Sequence, residues 1–539
     1  RNYDPSIWSK PENYLGPNGG RANLSTNPGA DYFYQQAYNS WTRKESLITG
    51  NFSLTATATD WLKFVGKANF SSEQSTDERK EVGTDAFFKG ADALYSVAGV
   101  NKSQYTFTGM AMITPKLGKK FEGSLNIGAE TWNSGIGKQY NNYSSGGLRI
   151  PFLYDISNSI NAPIVKNEAL LRKVINSGFF SASLAYNNEL FLDVTGRNDW
   201  SSALTYPNGS RGNTTNSYFY PSVSGAWEFT QTLKDKLPEW ISYGKLRASY
   251  AMVGGDLDPY QINTGYYTTE LFQGANSGKD LPLVNIFNPD VLPNMALKPS
   301  ISKSVELGAN VRLFNNRLGF DVAWYRTNIT DQIIKLPTTI ESGVMFRYIN
   351  AGSMVNKGIE VAINATPIQG KNFTWDINLN GSRNKNKIVS LAPGVEQFEL
   401  NEDQGVKAIA NVGGSYGDLI TDYGYTRDAN GKPLITLGGT DFPYKFVRGR
   451  AIVGNIMPDF NIGLQNSFTY KNWSLGVLVQ ARIGGDFFSA SHQYGTGRGT
   501  TANTLAGRDS EHGGITYTDA SGRTRNDGMI PDGTFQTGT

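Results

Sequence analysis

From Phe460 to Ile483 the chain alternates apolar and polar residues over two strand lengths. Phe460, Ile462, Leu464, Phe468 and Tyr470 share one phase, with Asn466 the exception, and Asn461, Gly463, Gln465, Ser467 and Thr469 share the other. After Lys471-Asn472 the alternation resumes with Trp473, Leu475, Val477, Val479, Ala481 and Ile483 on the apolar side. A period of two broken by a short polar pair reads as an antiparallel hairpin.

The same rhythm recurs six more times. Leu47–Ala58 turns at Thr59-Asp60 and returns through Leu62 to Phe70, and Tyr105–Thr114 returns through Phe121 to Ala129. Phe180–Tyr186 turns at Asn187-Asn188 and returns through Leu190 to Gly196. Pro221–Phe229 pairs less cleanly with Lys245–Val253. Val305–Leu313 turns at Asn315-Asn316 and returns through Leu318 to Trp324, and Ile359–Ala365 returns through Phe373 to Leu379. Seven hairpins give fourteen strands. The connections between hairpins are long: 71–104, 133–178, 198–220, 254–302, 334–356 and 389–458. Such lengths are uncommon inside compact soluble domains.

Alternating short turns and long loops along an antiparallel meander put all the turns at one end and all the loops at the other. Outer-membrane barrels are built this way. Several of the strands exceed nine residues, whereas soluble strands centre near five or six. A strand of about ten residues tilted about 40° crosses an apolar band of about 25 Å. A soluble β-sandwich or propeller would also alternate, but it accounts for neither strand length nor loop asymmetry. Trp61, Trp324, Trp375, Tyr470 and Trp473 near strand ends suit a membrane interface. The expected fold is all-β, a transmembrane antiparallel β-barrel with long extracellular loops. Its apolar face then meets lipid, and Asp376, Asn378, Asn380, Ser474, Gly476, Gln480 and Arg482 line the lumen. On this facing Leu475→Arg is costly if Leu475 lies at mid-bilayer, and Gln480→Arg is mild.

Composition sharpens this picture. The 539 residues are 39% hydrophobic, 12% aromatic and only 18% charged, with 60 glycines, a mix that favours strands and turns over helices. No run of about 18 apolar residues marks a membrane helix. The mean hydropathy of −0.40 is compatible with a barrel whose faces average out. A net charge of +3 without a basic aromatic cluster gives no sign of nucleic-acid binding. The chain has no cysteine and two histidines, which excludes disulfides and thiolate metal sites and leaves little material for zinc or iron.

Several segments resemble one family. YNNELFLDVTGRNDWSSAL (186–204), YFYPSVSGAWEFTQ (218–231) and GKLRASYAMVGG (244–255) resemble stretches of the SusC/RagA-type TonB-dependent outer-membrane transporters. LKPSISKSVELGANVRLFNNRLGFDVAWYRTNITDQII (297–334) is the most specific match, followed by NAGSMVNKGIEVAIN (350–364) and GNIMPDFNIGLQNSFTYKNWSLGVLVQARIGGD (454–486). The resemblance implies a barrel of about 22 strands around a plug. Residues 1–539 are then expected to form part of one such barrel domain, with the N-terminal plug and closing C-terminal strands outside this chain. It further implies import of oligosaccharides or peptides across the outer membrane of a Gram-negative bacterium. A SusD-like lipoprotein would cover the extracellular loops, and the TonB complex would supply energy through the N-terminal region. Rival readings are a passive porin and a secreted glycan-binding or glycan-cleaving β protein.

Candidate chemistry is sparse. Gly413-Gly414-Ser415-Tyr416-Gly417 satisfies the G-x-S-x-G pattern, but no helix is expected after it, as a nucleophile elbow requires. His492 and His512 lie in Gly-rich loop. Asp428-Ala429-Asn430-Gly431 starts like a calcium loop, yet Lys432 and Gly439 occupy its fifth and twelfth positions. Asp256, Asp258 and Glu270 could be imagined as a glycosidase pair, but turn formation is the simpler role. No catalytic residue, metal ligand or cofactor is therefore assigned, and calcium is left possible without a supporting motif. Ligand contact is expected instead from loop aromatics: Tyr218, Tyr220, Tyr260, Tyr266, Tyr267, Phe272 and Tyr416. Their faces can stack on sugars or peptide side chains.

Overall fold

The structure, a computed structural model, describes residues 6, 9–16, 21–22, 29–82, 93–150, 152–205, 216–261, 267–273, 280–285, 291–292, 294, 297–437, 444–519, 521–529 and 532–535. Fourteen strands run in chain order through one antiparallel sheet. They are β1 (Ser40–Thr59), β2 (Leu62–Glu81), β3 (Leu94–Ile113), β4 (Phe121–Tyr143), β5 (Lys173–Tyr186), β6 (Leu190–Ser201) and β7 (Ser217–Trp227). The series continues with β8 (Ile241–Gly255), β9 (Ser300–Leu313), β10 (Leu318–Thr330), β11 (Ser353–Gln369), β12 (Phe373–Ser390), β13 (Pro458–Tyr470) and β14 (Trp473–Gly484). A short strand, Ile164–Ala169, pairs with the far end of β4. Among the described residues β1 and β14 do not pair with each other, so the sheet is an open arc of barrel wall.

All seven hairpins expected from the alternation form, in the expected order. Register separates the two faces. One cross-strand row runs Val311, Phe320, Ile363, Leu379, Leu464, Val479, all apolar. The adjacent row runs Asn310, Asp321, Ala362, Asn380, Gly463, Gln480 on the opposite face. A slip of one residue in any strand would put the second set into lipid, so the pattern fixes the register.

Asn466, the break in the apolar phase, has a structural reason. Its Oδ1 accepts a hydrogen bond from the Trp375 indole at 3.2 Å. Trp375 stacks on Phe468 with ring centroids 5.8 Å apart. Leu475 pairs with Phe468, one apolar row beyond the Tyr470–Trp473 pair that closes the hairpin. It therefore stands near the interface, and mid-band on this part of the wall belongs to Leu379 and Leu464.

The short turns exploit residues that tolerate left-handed backbone. Asn187 and Asn188 have φ of 51° and 55°, and Asn315 and Asn316 have 55° and 64°. Neighbouring turns are also laced by backbone hydrogen bonds. The amides of Thr114, Asn187, Glu228, Phe314, Thr366 and Lys471 donate to the carbonyls of Trp61, Lys120, Glu189, Trp240, Arg317 and Asn372. One rim of the wall is thus continuous.

The other rim is built differently. Three strands run well beyond the sequence expectation, β2 to Glu81, β3 from Leu94 and β4 to Tyr143, so the first long connection shrinks to residues 82–93. The connection 391–457 carries its own four-stranded sheet: Gln397–Asp403, Val406–Asn411, Tyr416–Tyr425 and Arg448–Asn455. Ile409, Ala410, Leu419 and Ile420 are buried in it. Ile333–Pro337, Phe346–Asn350 and Val291–Leu292 form another small sheet. A cluster of Leu336, Ala351 and Ala392, with Ile334, Ile349, Val395 and Phe398, joins these loops.

Candidate functional site

The polar face of the wall carries two charge networks. In the first, Arg197 on β6 donates through Nε to Asp199 at 2.7 Å, and through Nη2 to Glu130 at 2.8 Å and Ser177 at 2.7 Å. Tyr220 on β7 donates its hydroxyl to the other Asp199 oxygen at 2.5 Å, and Thr108 donates to Glu130 at 2.9 Å. In the second, Arg247 on β8 grips Asp321 on β10 with two bonds of 3.1 and 2.9 Å. Asn310 donates to the same carboxylate at 2.7 Å. The bidentate fork fixes both side chains more tightly than a single ion pair would. A concavity of about 720 Å³ opens beside Arg247 and Asp321, floored by Glu360, Asn380, Gln480 and Arg482.

Above the first network, toward the long loops, the polar face is sealed by a buried tie. Lys173 at the start of β5 pairs with Asp256 at 2.9 Å and also donates to the Leu257 carbonyl at 2.6 Å. The Ser201 hydroxyl donates to Asp256 as well. Beside the tie lies an apolar cluster of Ala203, Leu204, Leu257 and Leu297, against which Tyr218, Ile333 and Tyr348 pack. An aspartate buried this far is tolerable because a cation and two further donors satisfy it.

The aromatic candidates separate into groups. Tyr218 and Tyr220 are strand residues of β7, which corrects their expected loop position. They stack with centroids 5.8 Å apart, and each is already committed, one to the apolar cluster and one to Asp199. Tyr260 follows the Asp256 tie, with φ of +63° and 49% exposure. Tyr416 stands 41% exposed on the loop sheet, its amide donating to Asn386. Tyr267 and Phe272 belong to the strand Tyr267–Gln273, paired with Asp280–Asn285. Tyr266 lies outside the described residues, as do the side chains of Tyr267, Phe272 and Glu270. No described contact joins Tyr260 or Tyr416 to the Tyr218–Tyr220 pair.

The motifs with catalytic or metal overtones resolve into turns. Ser415 sits between two strands of the loop sheet and donates to Asn386 at 2.8 Å, with no strand-to-helix elbow around it. Asp428 caps its own turn, accepting from the amides of Asn430 and Lys432 at 2.9 Å each. Asp256, one of the imagined glycosidase acids, is the buried partner of Lys173. Among the described residues, no three of the His, Asp and Glu side chains gather as a metal ion would need. Sequence reasoning missed both charge networks. The only available signals were Arg197-Asn198-Asp199, where arginine and aspartate share a strand face, and Lys245-Leu246-Arg247, where two cations share the polar face.

A strand-long antiparallel wall, with one face apolar and the other carrying charge networks, defines a barrel of the outer-membrane type. The chain belongs to the family described as TonB dependent receptor-like, beta-barrel, whose profile matches residues 1–531. It is 28% identical over 335 residues to TonB-dependent receptor P3 of Formosa agariphila, covering 58% of this chain and 32% of that protein. It is 23% identical to TonB-dependent receptor SusC of Bacteroides thetaiotaomicron over 49% of this chain and 27% of SusC. The fold also matches the structure of the RagAB peptide importer in the open-open state, with a TM-score of 0.68 at 18% identity over 88% of this chain and 50% of that one. The chain thus spans about a third of the curated relatives' length.

Proposed function

We propose that this chain is the wall of an energy-coupled importer that takes up oligosaccharides or peptides across the bacterial outer membrane. The observation that carries the reading is the two-faced wall: apolar rows fit for lipid back directly onto a polar face on which Arg197 and Arg247 are held in charge networks. Such a face suits a hydrated or filled lumen rather than a packed soluble core. Membership in the TonB-dependent receptor family supports energy coupling over passive diffusion. A SusD-like surface lipoprotein is the expected partner at the long-loop rim, and the TonB complex is expected to act through sequence beyond this chain. Among the aromatic candidates, Tyr260 and Tyr416 present exposed rings to a cargo, whereas Tyr218 and Tyr220 hold the rim together.

The test is growth of the native host on a single glycan or peptide source, with the full-length gene intact, deleted, or present in a strain without TonB. Loss of growth in both mutants on the same source supports the reading. Uptake that persists without TonB would make the protein a passive pore.

A further inference from the structure

The apolar face ends in a concentration of positive charge. From the short turns toward the long loops, the outward pairs of β9 and β10 run Leu313/Leu318, Val311/Phe320, Ala309/Val322 and Leu307/Trp324. The next pair is Val305/Arg326, and the one beyond it is Lys303/Asn328. Register extends the first of these rows to Lys357 and Lys385, and the second to Val355 and Lys387. Arg326, Lys357, Lys385, Lys303 and Lys387 therefore stand together on four adjacent strands, and neither row contains an acid on those strands.

All five side chains are exposed. Arg326 donates to Asn328 at 3.3 Å, and among the described residues none of the five forms an ion pair with a carboxylate. The far ends of β1 and β2 behave differently: there Arg43 pairs with Glu45, Lys80 with Glu78 and Arg79 with Glu81. The β9–β12 cations are thus left for something outside the chain.

Their depth says what that is. The eight residues from Leu313 to Val305, at about 3.4 Å each and a tilt of about 40°, rise roughly 20 Å. On β9, β10 and β11 the cations begin where a typical apolar band of about 25 Å gives way to headgroups, immediately above Trp324, an interface-type residue. On β12 Arg383 already stands in the Trp324 row, with its guanidinium 5.0 Å from the centre of the Phe460 ring. Ammonium and guanidinium groups cannot rest among acyl chains, and their strongest partners at this level are phosphate oxygens.

We infer that Lys303, Arg326, Lys357, Lys385 and Lys387 form a docking surface for the phosphate groups of anionic lipid in the leaflet nearest the long loops. The inference rests on the reading of the wall as part of an outer-membrane barrel. An acidic protein partner fits less well, because the patch sits beside the apolar band and not on the loops.

The experiment uses the full-length protein purified in detergent, with native mass spectrometry after addition of diphosphorylated lipid A or of the same lipid stripped of phosphate. The wild type should retain the phosphorylated lipid in preference. Each neutralised cation should cost roughly fivefold in retention, so the triple change Arg326→Gln, Lys357→Gln, Lys385→Gln should cost on the order of 100-fold. Lys44→Gln, on the outer face elsewhere, should change little. Heat-modifiable migration of the triple variant checks that its barrel is folded. Equal retention by folded variant and wild type overturns the inference, as does indifference to phosphate. Loss of a co-purifying acidic protein with lipid retention unchanged also overturns it. Failure of the wild type itself to partition into detergent overturns the barrel reading together with the patch.

Discussion

The two rims of the wall solve the problem of ending a strand in opposite ways. At the short-turn rim each chain reversal is local, made by two to four residues in most hairpins, and six backbone bonds lace one turn to the next. At the long-loop rim the reversals take up to 67 residues, from 391 to 457. There order comes from side chains far apart in sequence: Lys173 with Asp256, Leu204 with Leu297, Leu336 with Ala392. One rim is specified by turn chemistry and the other by tertiary packing. The difference suits a wall whose closed end needs only to be stiff, while its open end must present a built surface.

The largest way to disturb this arrangement acts between the rims. Leu379→Arg, in the middle of the apolar row, should destabilise the wall by about 2–4 kcal/mol. Asn378→Arg, one residue away on the polar face, should be mild. Heat-resistant migration of the folded full-length barrel separates them, and equal tolerance at both positions would contradict the facing.

Breaking the long-loop rim should be nearly as costly but local. Lys173→Met leaves the Asp256 carboxylate buried with only Ser201 and the Leu257 amide as donors. Loosening of the 256–299 connection by about 2 kcal/mol is expected, below the full cost of an unpaired buried charge because those donors remain. Faster limited proteolysis within that connection, with the barrel still heat-resistant, is the signature. Unchanged cleavage would show that the tie contributes little.

The short-turn rim should be the more forgiving. Asn188→Ala places a less tolerant residue at φ of 55° and should cost about 1 kcal/mol. Urea titration of the refolded barrel reads it, and a loss above twice that value would imply that the lacing and not the turn was damaged.

The smallest effect depends on pH. Asp428 in the long-loop rim is held below the usual carboxylate range, chiefly by the Thr534 hydroxyl and then by the Lys432 amide. A depressed carboxylate contributes its tie above the ordinary carboxylate pKa and loses it as pH falls through the lower folded value. Amide exchange at Thr534 and Phe535 should therefore stay slow through mildly acidic pH and quicken only below the normal aspartate range. Quickening already at the ordinary value would remove Asp428 from the account.

What was legible in the sequence divides along the same line. The hairpins could be read because lipid on one side and a polar lumen on the other force a strict period of two, as in Phe373–Leu379 and Phe460–Tyr470. Once a strand leaves the apolar band that constraint lapses. Ser71-Ser72-Glu73-Gln74-Ser75-Thr76-Asp77 is polar on both faces, so the continuation of β2 to Glu81 left no trace in the pattern. The four-stranded loop sheet was hidden for a related reason, since its strands are short and its core is only a few residues such as Ile409 and Ile420. The charge networks were hidden because their partners, Arg197 with Glu130 or Arg247 with Asp321, lie 67 and 74 residues apart and meet only through register.

The lacing of the short turns has a mechanical meaning. Pulled from β14, the wall has to surrender its hairpins one after another, because each is zipped to its neighbour by a strand ladder and fastened at the turn by a further bond. Extraction by force would then proceed as a ladder of hairpin-sized steps.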